Sequence, residues 1–235
     1  MARTGKETYS SAVEEARNYT RWVVSAFAPF FGRSVLEIGM GHGGFYHQLP
    51  PLQHYIGADL DAELVKRAQG LYPTLRFVQA DIAEPGLADR LAGTSIDTVL
   101  CANVLEHVED DRAAMANLLG VLSPGGHLLL LVPAFQRLYN DLDRLAGHVR
   151  RYSWAEVAAL VPGSNADIRR LEYFNPIGPI GWLLNGLIAH RSLESRAVTE
   201  QVRLFDTYVV PISKFLNPLT RRFFGQSVLC VVRKR

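Results

Sequence analysis

The chain has 235 residues, 48% of them hydrophobic, and a formal net charge of +2, which is enough apolar material for a sizeable core in one domain. Its arginines are scattered and form no run of the kind a nucleic-acid arm needs, so no nucleic-acid partner is expected. Cys101 and Cys230 lie far apart in the apolar runs LCANV and LCVVR, where cysteine serves as a small buried hydrophobe, and this reads as a reduced, cytoplasmic protein.

The N-terminal stretch MARTGKETYSSAVEEARN carries acidic residues and no apolar signal-peptide core. No apolar run reaches the roughly 18 residues of a spanning helix. The expectation is a soluble protein with, at most, peripheral contact at a membrane surface.

In chain order, SAVEEARNYTRWVVSAFAPFF places Val13, Ala16, Tyr19, Val23 and Phe27 near helical spacing, a helix that should pack on a sheet. RSVLEIG, HYIGADL, LRFVQAD, IDTVLCANV and HLLLLVP then read as buried strands, being short, apolar and bounded by Gly, Pro, Asp or Ser. Between them GGFYHQLP, DAELVKRAQGLYP, GLADRLAG and EDDRAAMANLLGVLSPGG read as helical crossovers. Strands alternating with helices imply an α/β fold, a doubly wound and mostly parallel sheet covered on both faces.

Past residue 133 the pattern loosens. Ser153 and Glu156 form a capping box ahead of a helix over SWAEVAALV, IRRLEYFN suggests a strand, and QSVLCVVRK is a candidate last strand. Residues 199–224 mix aromatic and basic side chains without a clear assignment. No linker divides the chain, so the expectation is a single domain over 1–235: an N-terminal helical segment over 1–32, a ligand-binding core over 33–133, and substrate-lid insertions with terminal strands over 134–235.

Two features of the core carry chemistry. Gly39, Gly41 and Gly44 reproduce the spacing G-x-G-x-x-G between a strand and a predicted helix near Phe45, which permits a tight turn and close backbone approach to a ligand. Asp59 ends the next strand at the offset where a carboxylate meets a ribose diol, although a helix N-cap is also open to it, a role Asp61 fills equally well. A dinucleotide and an adenosyl ligand share this much. Glu37, an acid inside an apolar strand, favours a ligand that carries positive charge over a pyrophosphate.

On LEIGMGHGG, GADLD, VQADI, DTVLCANVLEHVED and LSPGGHLLLLVP, in that order, the chain resembles the class I S-adenosylmethionine-dependent methyltransferases over most of residues 33–133. The resemblance implies a Rossmann-like, seven-stranded sheet, S-adenosylmethionine as cofactor, and methyl transfer as the activity. It implies Glu37, Gly39 and Gly41 around the methionine portion, Asp59 and Leu60 at ribose and adenine, Asp81 and Ile82 at the adenine, and Asn103 and Val104 at the amino-acid end. The segment GHVRRYS is similar to a subgroup acting on small or lipid-linked acceptors.

For the acceptor, a hydroxyl oxygen is expected, with nitrogen or carbon as alternatives. His107 and His148 are candidate general bases. Tyr139, Arg150, Arg151, Tyr152 and Trp182 are candidate acceptor contacts, the arginines being equally suited to an internal salt-bridge knot with Asp143. Trp182, Leu183, Leu184, Leu187 and Ile188 form an apolar wedge for a hydrophobic acceptor, a membrane surface or the core. No cluster has metal-ligand spacing, so no metal is expected. The rival readings are an NAD-dependent oxidoreductase built on the same glycine turn, and a non-catalytic scaffold that binds an adenosyl ligand.

Overall fold

The structure, a computed structural model, describes residues 16–41, 45–186 and 196–235. Its centre is a seven-stranded sheet of β1 (Ser34–Ile38), β2 (His54–Asp59), β3 (Arg76–Gln79), β4 (Ile96–Ala102), β5 (Leu122–Pro133), β6 (Ala166–Phe174) and β7 (Ser227–Lys234) in the order β3-β2-β1-β4-β5-β7-β6. β3, β2, β1, β4 and β5 pair in parallel, and β7 runs antiparallel between β5 and β6. Every residue of β1 is buried, as its unbroken apolar run with one acid required.

The helices are α1 (Arg17–Phe27), α2 (Ala62–Leu71), α3 (Leu87–Arg90), α4 (Asp111–Val121), α5 (Asp141–Ala146), α6 (Trp154–Leu160), α7 (Gly178–Gly186), α8 (Arg196–Leu204) and α9 (Val210–Thr220). One face of the sheet presents Leu36, Val99 and Leu130 to Met115 and Leu118 of α4 and Val157 of α6. The other presents Val35, Leu100 and Leu129 to Trp22, Val23 and Phe27 of α1 and Val210 of α9. Alternate residues of each strand serve alternate faces, so the helix expected at the N-terminus packs where its spacing implied. Val13 lies outside the described residues.

Asp61, not Asp59, caps α2, accepting the Glu63 N–H at 2.8 Å, and this leaves Asp59 for the loop edge. The capping box of Ser153 and Glu156 opens α6 as expected. Two elements differ from the sequence reading. The helix expected near Phe45 is a single 3-10 turn, Tyr46–Gln48, because Leu49 precedes Pro50 and is held extended. β5 starts at Leu122 rather than His127, its register jumping between Ile96 and Thr98 where Ser123 to Gly126 bulge out. Residues 199–224, left open by the sequence, are largely helical: α8 and α9 joined by a π-helical turn, Phe205–Val209.

Candidate functional site

Because β3, β2, β1 and β4 are parallel neighbours, the loops leaving their C-terminal ends line one edge of the sheet, where strand order reverses between β1 and β4. Gly39 and Gly41 carry the chain out of β1 with φ of +67° and +54°. A Cβ on Gly39 would overlap Val104 Cγ2, so that position demands glycine for both conformation and space. The turn is tied to β2 by the N–H groups of Gly39 and Met40, which donate to Ala58 O at 2.8 and 3.2 Å. His42, Gly43 and Gly44 lie outside the described residues.

Asp59 is buried at the end of β2, Oδ2 accepting the Gly41 N–H and Oδ1 the Asp61 N–H, each at 3.0 Å. Each oxygen keeps acceptor capacity beyond that single bond. Leu60, next to it, is half exposed. After β3, Asp81 Oδ1 accepts the Ala83 N–H at 2.8 Å and Ile82 is buried. After β4, Asn103 stands exposed with φ of +55°, its N–H donating to Leu131 O at 2.8 Å.

Glu37 is 1% exposed. The Tyr55 hydroxyl donates to its Oε2 at 2.7 Å, while Oε1 is buried with no hydrogen-bond partner among the described residues. Burial pushes its carboxyl up to about 7; the tyrosine bond offsets part of this and the nearby Asp59 charge adds to it.

The segment after β5 closes over the β4 loop. Tyr152 pairs with Ala134 in a parallel bridge, and the Val149 N–H donates to Glu106 O at 2.8 Å. Asp143, in the capping box of α5 with Asn140, is fully buried and collects four donors. His148 Nδ1 lies at 2.7 Å and Arg151 Nε at 2.8 Å from Oδ1; the Asn140 N–H at 2.9 Å and Trp182 Nε1 at 3.3 Å serve Oδ2. Burial alone would raise this carboxyl, but the bonds from His148 and Arg151 and the arginine charge outweigh it and hold it below its ordinary value.

Glu106 is fully buried, neither carboxylate oxygen has a hydrogen-bond partner among the described residues, and Oε1 lies 3.8 Å from His148 Nε2. The His107 ring stands edge-on to His148 with centroids 4.8 Å apart, its Nδ1 3.2 Å from Gly147 O. Burial lowers the His107 pKa. Ligand atoms of Glu106, His107 and His148 all lie within 4.8 Å of one another, a cluster hidden in the sequence by the distance between positions 107 and 148.

A family model described as a methyltransferase domain matches residues 36–130. An uncharacterized methyltransferase of Mycobacterium tuberculosis is 30% identical over 179 residues, covering 64% of this chain and 88% of that protein. The chain belongs to the class I S-adenosylmethionine-dependent methyltransferases. A ubiquinone biosynthesis O-methyltransferase of Xanthomonas euvesicatoria is 36% identical to it over 110 residues, 46% of each chain. Among solved structures, a S-adenosylmethionine-dependent methyltransferase from Archaeoglobus fulgidus superposes with a TM-score of 0.60 at 17% identity, over 93% of this chain and 94% of that one. The N-methyltransferase NodS of Bradyrhizobium japonicum, solved with S-adenosyl-L-homocysteine, gives 0.53 at 14% identity, over 98% and 90%.

The methyltransferase uses S-adenosylmethionine as its methyl donor, and the loop edge suits that molecule. A buried Glu37 carboxylate oxygen without a partner among the described residues offers negative charge where a cationic ligand could meet it, which a pyrophosphate would not tolerate. The choice left open by the glycine turn between dinucleotide and methyl donor therefore falls to the methyl donor.

The fold brings all nine expected cofactor residues, Glu37, Gly39, Gly41, Asp59, Leu60, Asp81, Ile82, Asn103 and Val104, to the ends of four neighbouring strands. Of the expected acceptor contacts, several are engaged internally. Arg150 pairs with Asp111 Oδ2 at 2.7 Å, Tyr152 donates to the same oxygen at 3.1 Å, and Tyr139 donates to His148 O at 2.7 Å. Arg151 lies under the Trp182 ring, 4.8 Å from its centroid, so the salt-bridge knot forms with Arg151 and takes in the tryptophan. Leu187, Ile188 and the Leu184 side chain lie outside the described residues. Sequence reasoning missed Glu106; the signal available was an acid beside His107 at the end of a buried strand.

Proposed function

We propose that the enzyme methylates a hydroxyl oxygen of a small-molecule or lipid-linked acceptor, with His148 as general base and Asp143 as its positioning residue. The observation that carries this reading is the Asp143–His148 pair. A carboxylate only accepts, so Nδ1 bears the proton and Nε2 is free to take another. Carboxylates then stand at both nitrogens, 2.7 Å away at Asp143 and 3.8 Å at Glu106, to meet the charge that appears on the ring. Oxygen as the atom methylated also agrees with the O-methyltransferase of Xanthomonas among the relatives.

S-adenosylmethionine supplies a methyl group on a sulfonium, which an oxygen displaces in line. Glu37 Oε1 would take the ammonium, Asp59 the ribose hydroxyls, Leu60 and Ile82 the faces of the adenine and Asp81 its amine, with the backbone of Gly39, Gly41, Asn103 and Val104 around the amino-acid end. His148 Nε2 removes the acceptor's hydroxyl proton as the oxygen–methyl bond forms. The lid over the β4 loop excludes water and fixes the approach, the larger share of catalysis where charge is being neutralised.

His148→Ala and His107→Ala, compared in single-turnover methyl transfer at saturating cofactor, test the assignment. His148→Ala should lose about 10²–10⁴-fold in rate with cofactor affinity unchanged, and His107→Ala much less. An undiminished rate in His148→Ala would end the base assignment and leave proximity alone.

A further inference from the structure

The helix running from α8 through the π turn into α9 has its polarity inside out. Its buried side chains are Asp206, Val210, Ser213 and Asn217, each less than a tenth exposed and three of the four polar, with Phe205 packed partly buried against the core beside them. Their hydrogen bonds are met there. Asp206 accepts the N–H groups of Asn18 and Tyr19 at 2.9 and 2.8 Å. Ser213 Oγ donates to Asn175 Oδ1 at 2.7 Å, and Asn217 Oδ1 accepts the Asn175 N–H at 3.0 Å.

The side chains it turns outward are Leu204, Tyr208, Ile212, Phe215 and Leu219, exposed by 56, 66, 55, 80 and 74%, and Phe223, at 74%, extends the row past the helix end. Steps of three and four residues keep such a row on one helix face, and the π turn accommodates the additional residue between Leu204 and Ile212. A helix facing water carries the opposite pattern.

Charge decides what covers the row. From Arg196 to Gln226 the acids are Asp206, which is buried, and Glu200, which is exposed and pairs with Arg203 at 4.0 Å, so Lys214 and Arg222 are the exposed cations left to meet a partner. A second copy placed on this face would set cations against cations. An anionic bilayer satisfies both halves, taking the apolar row at the acyl boundary and the cations among its phosphates. No described helix is long and apolar enough to cross a membrane, so the segment lies along the surface.

We propose that the face from Leu204 to Phe223 docks the enzyme on an anionic phospholipid surface. α7, which carries Trp182 to the lid, adjoins this helix: a Cβ on Gly181 would sit 3.4 Å from the Phe205 ring, and Ile180 and Leu183 of α7 are themselves exposed by 55 and 47%. Docking therefore brings the lid close to the bilayer. The inference stands on the helix alone and holds whichever atom is methylated.

The test is co-sedimentation of the whole enzyme with vesicles of phosphatidylcholine alone or mixed with phosphatidylglycerol, at low and high salt. Binding should favour the mixed vesicles by roughly thirtyfold, for the two basic side chains Lys214 and Arg222 at the surface, and weaken with salt. The Phe215→Glu, Leu219→Glu double variant should lose vesicle binding at least about tenfold with cofactor affinity and circular dichroism unchanged, since both side chains already face outward. Lys214→Ala with Arg222→Ala should remove the preference for anionic vesicles and keep the residual neutral binding. The proposal is overturned if the glutamate variant binds like the wild type, if both vesicle types bind equally, or if sedimentation shows a wild-type dimer that the glutamate variant dissociates while neither touches vesicles.

Discussion

Cofactor affinity should depend on pH through Glu37. Burial has moved its carboxyl from 4.5 to about 7, a difference of about 3 kcal/mol against carrying the charge in the free enzyme. An ammonium at Oε1 supplies the missing partner and favours the carboxylate, so binding below pH 7 releases a proton. Affinity should then fall about tenfold per pH unit as pH drops below 7 and level off above it. Calorimetry in two buffers of different ionisation enthalpy, kept below about pH 7.5 so that the ligand's amino group stays charged, reads both the affinity and the proton.

Glu37→Gln should bind with a flat pH profile and be weaker at neutral pH by about 10–100-fold, the worth of a charge-assisted hydrogen bond. The free enzyme supplies an independent sign. With the folded pKa raised, the native state binds more protons than the unfolded chain between pH 4.5 and about 7. Wild-type stability should therefore decline across that window as pH rises, and Glu37→Gln should not share the decline. A wild-type affinity indifferent to pH, or a glutamine variant that keeps the wild-type profile, would refute the placement of the ammonium at Glu37.

Asp59→Ala should weaken S-adenosylmethionine binding by about 10–100-fold, since hydrogen bonds to a charged acceptor are worth about 1.5–3 kcal/mol; unchanged affinity by calorimetry would remove the ribose assignment. Gly39→Ala meets both a left-handed φ and the Val104 methyl, and should lose about 1–3 kcal/mol from the backbone alone. Adding Val104→Ala should recover part of the melting temperature but not all, because the backbone strain persists. Asp143 has a carboxyl held below its ordinary 3.8, so its contribution is present above that pH and lost as pH falls through the folded value. Thermal melts of the wild type should therefore fall in acid. Asp143→Asn should be destabilised by about 3–5 kcal/mol at neutral pH, leaving the buried Arg151 charge uncompensated, and should show less of the acid loss.

The parallel core and the cofactor edge were legible because both rest on local rules. A buried parallel strand must be apolar on both faces, so LEI and the later runs announce themselves, and a lone acid among them, Glu37, stands out by the cost of burying it. The 3-10 turn after Gly41 was misread because glycine spacing suggested a helix, while Pro50 and Pro51 a few residues on decided the backbone. The lid was visible only as a crowding of polar groups; which of them pair depends on contacts such as Asp143 with Trp182, 39 residues apart. The helix around the π turn was illegible for a different reason. Its polar side chains are buried by partners as distant as Asn18, 188 residues from Asp206, so a reading that assigns apolar residues to the core places its faces the wrong way round.

The cofactor edge and the lid meet in one short segment, Asn103 to Val108. Val104 fills the space that only a glycine at position 39 leaves, which fixes the β4 loop against the β1 turn. Glu106, two residues on, holds the lid backbone through Val149 and aims its carboxylate at His148. Asp111 at the start of α4 secures the same lid through Arg150 and Tyr152. A displacement of the β1 turn therefore has a direct steric route, through Val104, to the side chain beside the proposed base. That route requires no large motion, only that Val104, which caps the turn Leu105–His107, passes a shift of a few tenths of an ångström to Glu106 within it.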